Sequence, residues 1–159
     1  MTVSELFHAL AILTTGLFSG LMMTLVIILQ KQWLLMNRSE YYSNFQGFLK
    51  VAKGNALITV LTLFSFLVPL LFGILSVIAK KWALGVSLIL AGMLFLIGCF
   101  VVTMKLNFPI YNKVASWRSE NEATDWEDIR RRFYALNIIR FISATLSFIV
   151  LVFSKVYFY

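Results

Sequence analysis

Acidic residues are scarce in this chain. Seven Asp and Glu stand against fourteen Lys and Arg among 159 residues, and none of the seven falls inside the long apolar runs. That excludes a proton relay along buried acids and any site built on paired intramembrane carboxylates. Cysteine occurs once, at Cys99 within an apolar run, which rules out a disulfide framework and any multi-cysteine metal or redox centre. Histidine also occurs once, at His8, too few for a multi-histidine metal or haem site, so no metal is expected. His8 itself reads as structural. Among short catalytic signatures, the sequence has no phosphate-cradling glycine loop, no His-Glu-x-x-His helix and no G-x-S-x-G elbow.

What the chain has in abundance is apolar surface. Hydrophobic residues make up 60% of it and charged residues only 13%, the balance of a protein whose solvent is lipid. Charge-free stretches run over about 6–30, 54–79 and 82–104, each longer than the roughly 20 residues that cross a ~30 Å hydrocarbon core. A fourth, about 135–157, has Arg140 near its start and Lys155 near its end, where long basic side chains can snorkel. The expected fold is all-α: a polytopic membrane protein with one domain, a four-transmembrane-helix bundle. The first run has no basic leader and exceeds a signal-peptide core in length, so it is expected to remain as the first span.

Orientation follows from the basic residues. Eleven of the fourteen lie between spans 1 and 2, between spans 3 and 4, or at the start of span 4, which places that side in the cytoplasm and both termini outside, in a cytoplasmic (inner) membrane. The same placement explains the net charge of +7 as contact with anionic headgroups, so membrane lipids and not nucleic acid are the expected partners. Asn37-Arg-Ser-Glu40 and Thr124-Asp-Trp-Glu127 have the spacing of capping boxes well ahead of spans 2 and 4. With Tyr41, Tyr42, Phe45, Phe48 and Leu49 at helical spacing, they predict that helices 2 and 4 extend into the cytoplasm over about 38–53 and 125–134. Gly16 with Gly20, and Ser143 with Ser147, put small residues one turn apart, suited to packing spans 1 and 4 together or to a homo-oligomer. Pro69 predicts a kink or a freed carbonyl near Ser65.

The polar residues gather at one membrane face. Asn55 opens span 2, Lys105 and Asn107 close span 3, and Tyr134, Asn137 and Arg140 line the entry of helix 4. Arg130, Tyr134, Asn137 and Phe141 fall on one helical stripe that would face either a pocket or helix 2. Each has a bland alternative: intramembrane asparagines bridge helices, Arg140 is shallow enough to snorkel, and Lys105 suits an interface anchor. Trp33, Trp82, Trp117 and Trp126 fit an aromatic belt, and Arg130-Arg131-Arg132 a headgroup cluster.

The run Asn107-Phe-Pro-Ile-Tyr-Asn112, then Trp117 and Trp126, then Arg132-Phe-Tyr-Ala-Leu-Asn137-Ile-Ile-Arg140, resembles the anthrone-oxygenase-like family of small four-span membrane proteins. The Gly16, Phe18 and Gly20 region and Asn55 are similar to its first half. Tyr111 with Asn112, and Tyr134 in place of a tryptophan, depart from its usual pattern. The resemblance implies oxidation of a lipophilic aromatic or quinol-like small molecule by oxygen without metal or flavin. It also implies catalytic roles for Arg140, Asn137, Asn107 and Tyr134, and substrate contacts from Asn55, Trp117 and Lys105. Arg140 and the asparagines would stabilise a substrate anion. Tyr134, Tyr111 and Lys105 are the candidate proton acceptors. The alternative is a non-catalytic accessory or scaffold protein whose asparagines lock helices while helices 2 and 4 bind a protein partner.

Overall fold

A computed structural model describes residues 3–158, the side chain of Glu120 apart. Five helices account for nearly all of them: α1 Val3–Leu34, α2 Arg38–Ala52, α3 Ala56–Ile78, α4 Trp82–Ser116 and α5 Trp126–Phe158, with one 3₁₀ turn at Glu120–Glu122. Helices α1, α3, α4 and α5 are long and apolar enough to cross a membrane, and together they form an integral membrane four-helix bundle. Leucines, isoleucines and phenylalanines such as Leu13, Leu17, Leu71, Ile97 and Phe153 stay exposed along the outer faces, where lipid covers them.

The bundle has a tight end and an open end. At the tight end α3 and α4 turn back through Ala79–Lys81, and Lys80 adopts φ 61 to close the turn. Gly73 and Gly85 bring the two backbones together: a Cβ on Gly85 would stand 2.8 Å from the Gly73 carbonyl oxygen. On α5, Phe133, Asn137, Arg140, Ala144, Ser147, Leu151 and Ser154 are buried, an alternating three- and four-residue spacing that keeps one stripe on the neighbours. Ser147 donates to the Ala91 carbonyl at 2.8 Å. His8 Nε2 lies 2.9 Å from the Leu151 carbonyl oxygen and 3.1 Å from Ser154 Oγ, which ties α1 to α5.

Spans 1 and 4 do pack together, though only part of the small-residue pattern serves that contact. Ser19 and Thr145 meet at 2.8 Å, and Gly16 fits against Phe148. Gly20 has nothing within 4 Å of its Cβ position, and Ser143 closes instead on Gly98 of α4. The helix after the first span also differs from expectation, because α2 is separate from α3. It begins at the predicted capping box, with Asn37 and Glu40 exchanging two 3.0 Å hydrogen bonds, and it buries Tyr41, Phe45 and Leu49. Gly54 at φ +80 then breaks it from α3, a conformation that costs glycine little and other residues more.

At this open end each segment is closed by a side chain from elsewhere. Gln46 of α2 donates to the carbonyls of Val114 and Trp117 at 3.0 and 2.9 Å, satisfying the end of α4. One nitrogen of Arg130 donates to the carbonyls of Trp33, Leu34 and Met36 at 3.1 to 3.2 Å, satisfying the end of α1, while its guanidinium stacks 4.4 Å from the Trp126 ring. Arg130 is therefore a helix cap and no part of a headgroup cluster. Trp33 and Trp117 are buried and pack with Tyr41, Tyr42, Phe45 and Phe133; of the four tryptophans Trp82 alone is exposed, at the tight end. The belt expected from sequence gives way to an aromatic core because the separate α2 covers these rings. Asp125, read from sequence within a capping box, pairs with Lys113.

Candidate functional site

A cavity of about 360 Å³ opens behind the start of α3. Its walls are α1 from Phe18 to Leu29, the end of α2 with the Lys53–Gly54 elbow, the first two turns of α3, and α4 from Phe100 to Tyr111, with Arg140 of α5 at its base. The volume falls in the range of small-molecule sites, and the lining is mostly aliphatic and aromatic with few polar groups, as such sites are. Leu21 and Thr24 on one flank, Met104 on the other, and Lys53 at the rim are exposed. The opening therefore faces the lipid side of the bundle near its basic end.

Local helix geometry makes the room. Leu25–Leu29 in α1, and Leu96–Val101 and Thr103–Asn107 in α4, are wound as π-helix. Each widens its helix beside the cavity, a distortion that recurs at functional sites. Four threonines face the space, Thr24, Thr59, Thr62 and Thr103. Each hydroxyl donates to the carbonyl four residues back, at 3.1, 3.0, 2.7 and 2.7 Å, so each offers only its oxygen as an acceptor.

Arg140 is the buried charged group in the wall. It is 7% exposed, donates to Asn137 Oδ1 at 2.7 Å, and lies 5.9 Å from the Phe18 ring centroid. Its Nε is buried without a partner, and the Tyr111 hydroxyl interacts with the same guanidinium. Lys113 pairs with Asp125 and Arg131 with Asp128, and among the described residues no carboxylate neutralises Arg140. A buried cation held by a neutral amide and a ring, and turned toward an apolar space, is matched to an anion.

The other candidates divide. Asn137 holds Arg140 and has no exposed surface, and its Nδ2 lacks a partner. Asn107 is fully buried with both amide atoms unpaired, outside the cavity lining. Tyr134 faces a separate crevice beside Gln30 and Arg130, too narrow for a ligand. Asn55 caps α3, accepting from the Ile58 N–H at 3.1 Å, while Trp117 sits in the aromatic core and Lys105 is exposed; none of the three lines the cavity. Of the candidate proton acceptors, only Tyr111 does. Sequence reasoning passed over Thr62, Thr103 and Lys53 as cavity residues. Their signal was weak: threonines on otherwise apolar spans, and a lysine counted only for orientation. No group of His, Cys, Asp and Glu able to hold a metal occurs among the described residues.

The family model described as anthrone oxygenase matches residues 47–150, which include α3, α4, the Arg140 site and most of the cavity wall. No curated protein matches, and no solved structure does.

Proposed function

Because the chain belongs to the anthrone oxygenase family, we propose that it is a membrane-embedded, cofactor-independent oxygenase whose cavity binds a flat lipophilic phenol with its ionising oxygen at Arg140. The observation that carries this reading is the unneutralised Arg140 guanidinium in the wall of an apolar cavity that opens toward lipid. The basic end, and the cavity with it, then faces the cytoplasm, a reading that the lysine and arginine distribution supports.

Arg140 lowers the energy of the enolate or phenolate form, and Asn137 fixes the guanidinium in place, so charge is stabilised where it develops. Tyr111 adds a hydroxyl beside the same oxygen and is a proton carrier toward water at the rim. The substrate carbanion then reduces oxygen, which partitions into the apolar space. A ring CH₂ becomes CH–O–O⁻, takes back the released proton as a hydroperoxide, and loses water to give a carbonyl. One O₂ is consumed per CH₂ oxidised and one water is formed.

The test uses the protein in nonionic detergent, incubated with anthrone under air and followed by anthraquinone absorbance and oxygen uptake. Arg140→Gln is expected to lower kcat/KM by about 10²-fold, the order seen when one anion-stabilising donor is removed. Rates equal to wild type in that variant, or wild-type rates no faster than buffer, overturn the reading. Tight binding of anthrone without turnover supports the non-catalytic alternative.

A further inference from the structure

The rim of the cavity carries a cation that the oxidation does not need. Lys53 follows the last residue of α2, leaves the helix with an extended backbone (φ −72, ψ 116) and lines the cavity from an exposed position, whereas Arg140 lines it from a buried one. The seven acids of the sequence are all elsewhere. Glu5 belongs to the first turn of α1 at the tight end, Glu40 is held in the capping box at the far end of α2, and the remaining five fall between 120 and 128. Among the residues lining the cavity there are thus two cations and no anion. The buried Arg140 acts at longer range than it would in water, while the exposed Lys53 acts only on a group that reaches the rim.

Resting on the ligand site argued above, we propose that Lys53 is a specificity residue, and that the preferred ligand is a lipophilic phenol carrying a carboxylate separate from the oxygen that meets Arg140. The ligand lies along the cavity with its reacting oxygen at the base and its acid at the rim. There the lysine meets the acid at the boundary between lipid and water. A phenol without the acid fills the same space but leaves Lys53 to solvent.

The test compares 2-naphthol with 6-hydroxy-2-naphthoate, in nonionic detergent where no lipid phosphate competes for the lysine, with binding followed by naphthol fluorescence. Wild type is expected to bind the carboxylate about fivefold more tightly, the order of one partly exposed ion pair. Lys53→Gln abolishes that preference without changing the affinity for 2-naphthol, and Lys53→Arg restores it. Lys50→Gln is the control, since Lys50 is exposed one turn earlier on α2 and lies outside the cavity; it keeps the preference. No preference in wild type, a preference that survives Lys53→Gln, or an equal loss in Lys50→Gln overturns the proposal. If neither naphthol binds, the cavity is not a ligand site and both readings fall. If the preference behaves as expected while Arg140→Gln leaves anthrone oxidation unchanged, only the oxygenase reading falls.

Discussion

The two ends of the bundle are made from the same four apolar helices and pack in opposite ways. At the tight end glycines let α3 and α4 touch backbone to backbone, with Gly73 and Gly85 each filling the space a Cβ would need. At the open end α3 starts from a glycine elbow, α1 and α4 are widened by π-turns, and bulky rings of α2 and α5 hold the helices apart over a cavity. Hydrophobicity is shared by both ends and so explains neither. Side-chain size and the satisfaction of helix-end carbonyls decide where the bundle closes and where it opens.

The contrast can be broken from the tight side first. Gly85→Ala places a methyl within 3 Å of the Gly73 carbonyl and the Val77 amide, backbone atoms that cannot step aside. A loss of about 3 kcal/mol is expected in unfolding monitored in detergent. Arg130→Met acts at the open end, removing the donor to three carbonyls at the end of α1 while keeping some of the stacking on Trp126. A loss of about 2 kcal/mol is expected, with faster amide exchange at Trp33–Met36 and not in α3.

Tyr41→Phe sharpens the comparison with the opposite sign. The Tyr41 hydroxyl is buried in the aromatic core without a partner, and burial raises its pKa above the ordinary value of 10.0, with Arg130 opposing weakly. Native Tyr41 therefore stays protonated while the unfolded chain ionises, so its contribution is intact below about pH 10 and falls as pH rises beyond that. The variant is expected to gain about 1 kcal/mol at neutral pH and to lose part of the alkaline sensitivity, read from melting temperatures across pH 8–11. Thr62→Phe fills the cavity and should move stability by no more than about 0.5 kcal/mol, yet abolish phenol binding. Retained binding would place the ligand elsewhere.

Much of this molecule was legible from the order of its residues. The four spans, the capping box at Asn37 and Glu40, and the buried stripe of Tyr41, Phe45 and Leu49 follow from helical spacing and local hydrogen-bond chemistry. The family was legible because Asn107-x-Pro and Asn137-x-x-Arg140 are local strings. The site was only partly so. Arg140, Asn137, Asn107, Tyr134, Asn55 and Lys105 all lie near one depth, yet a rotation of a fraction of a turn separates a side chain in the cavity from one that caps a helix or faces out. Arg140 reaches the space, Asn55 is spent on the Ile58 amide, and Tyr134 faces another crevice.

What the sequence alone determined is the number of membrane-spanning helices, their lipid-facing surface and the scarcity of acids, since length, apolarity and charge are sums over residues and need no partner. What only the tertiary structure decided is which polar groups meet. That Arg130 caps α1, that α2 buries Trp33, and that Arg140 and Lys53 line one cavity depend on helices distant in sequence and on the glycines that set their spacing. A buried polar group is stable only where its partner stands, and that position belongs to the packing of the whole bundle.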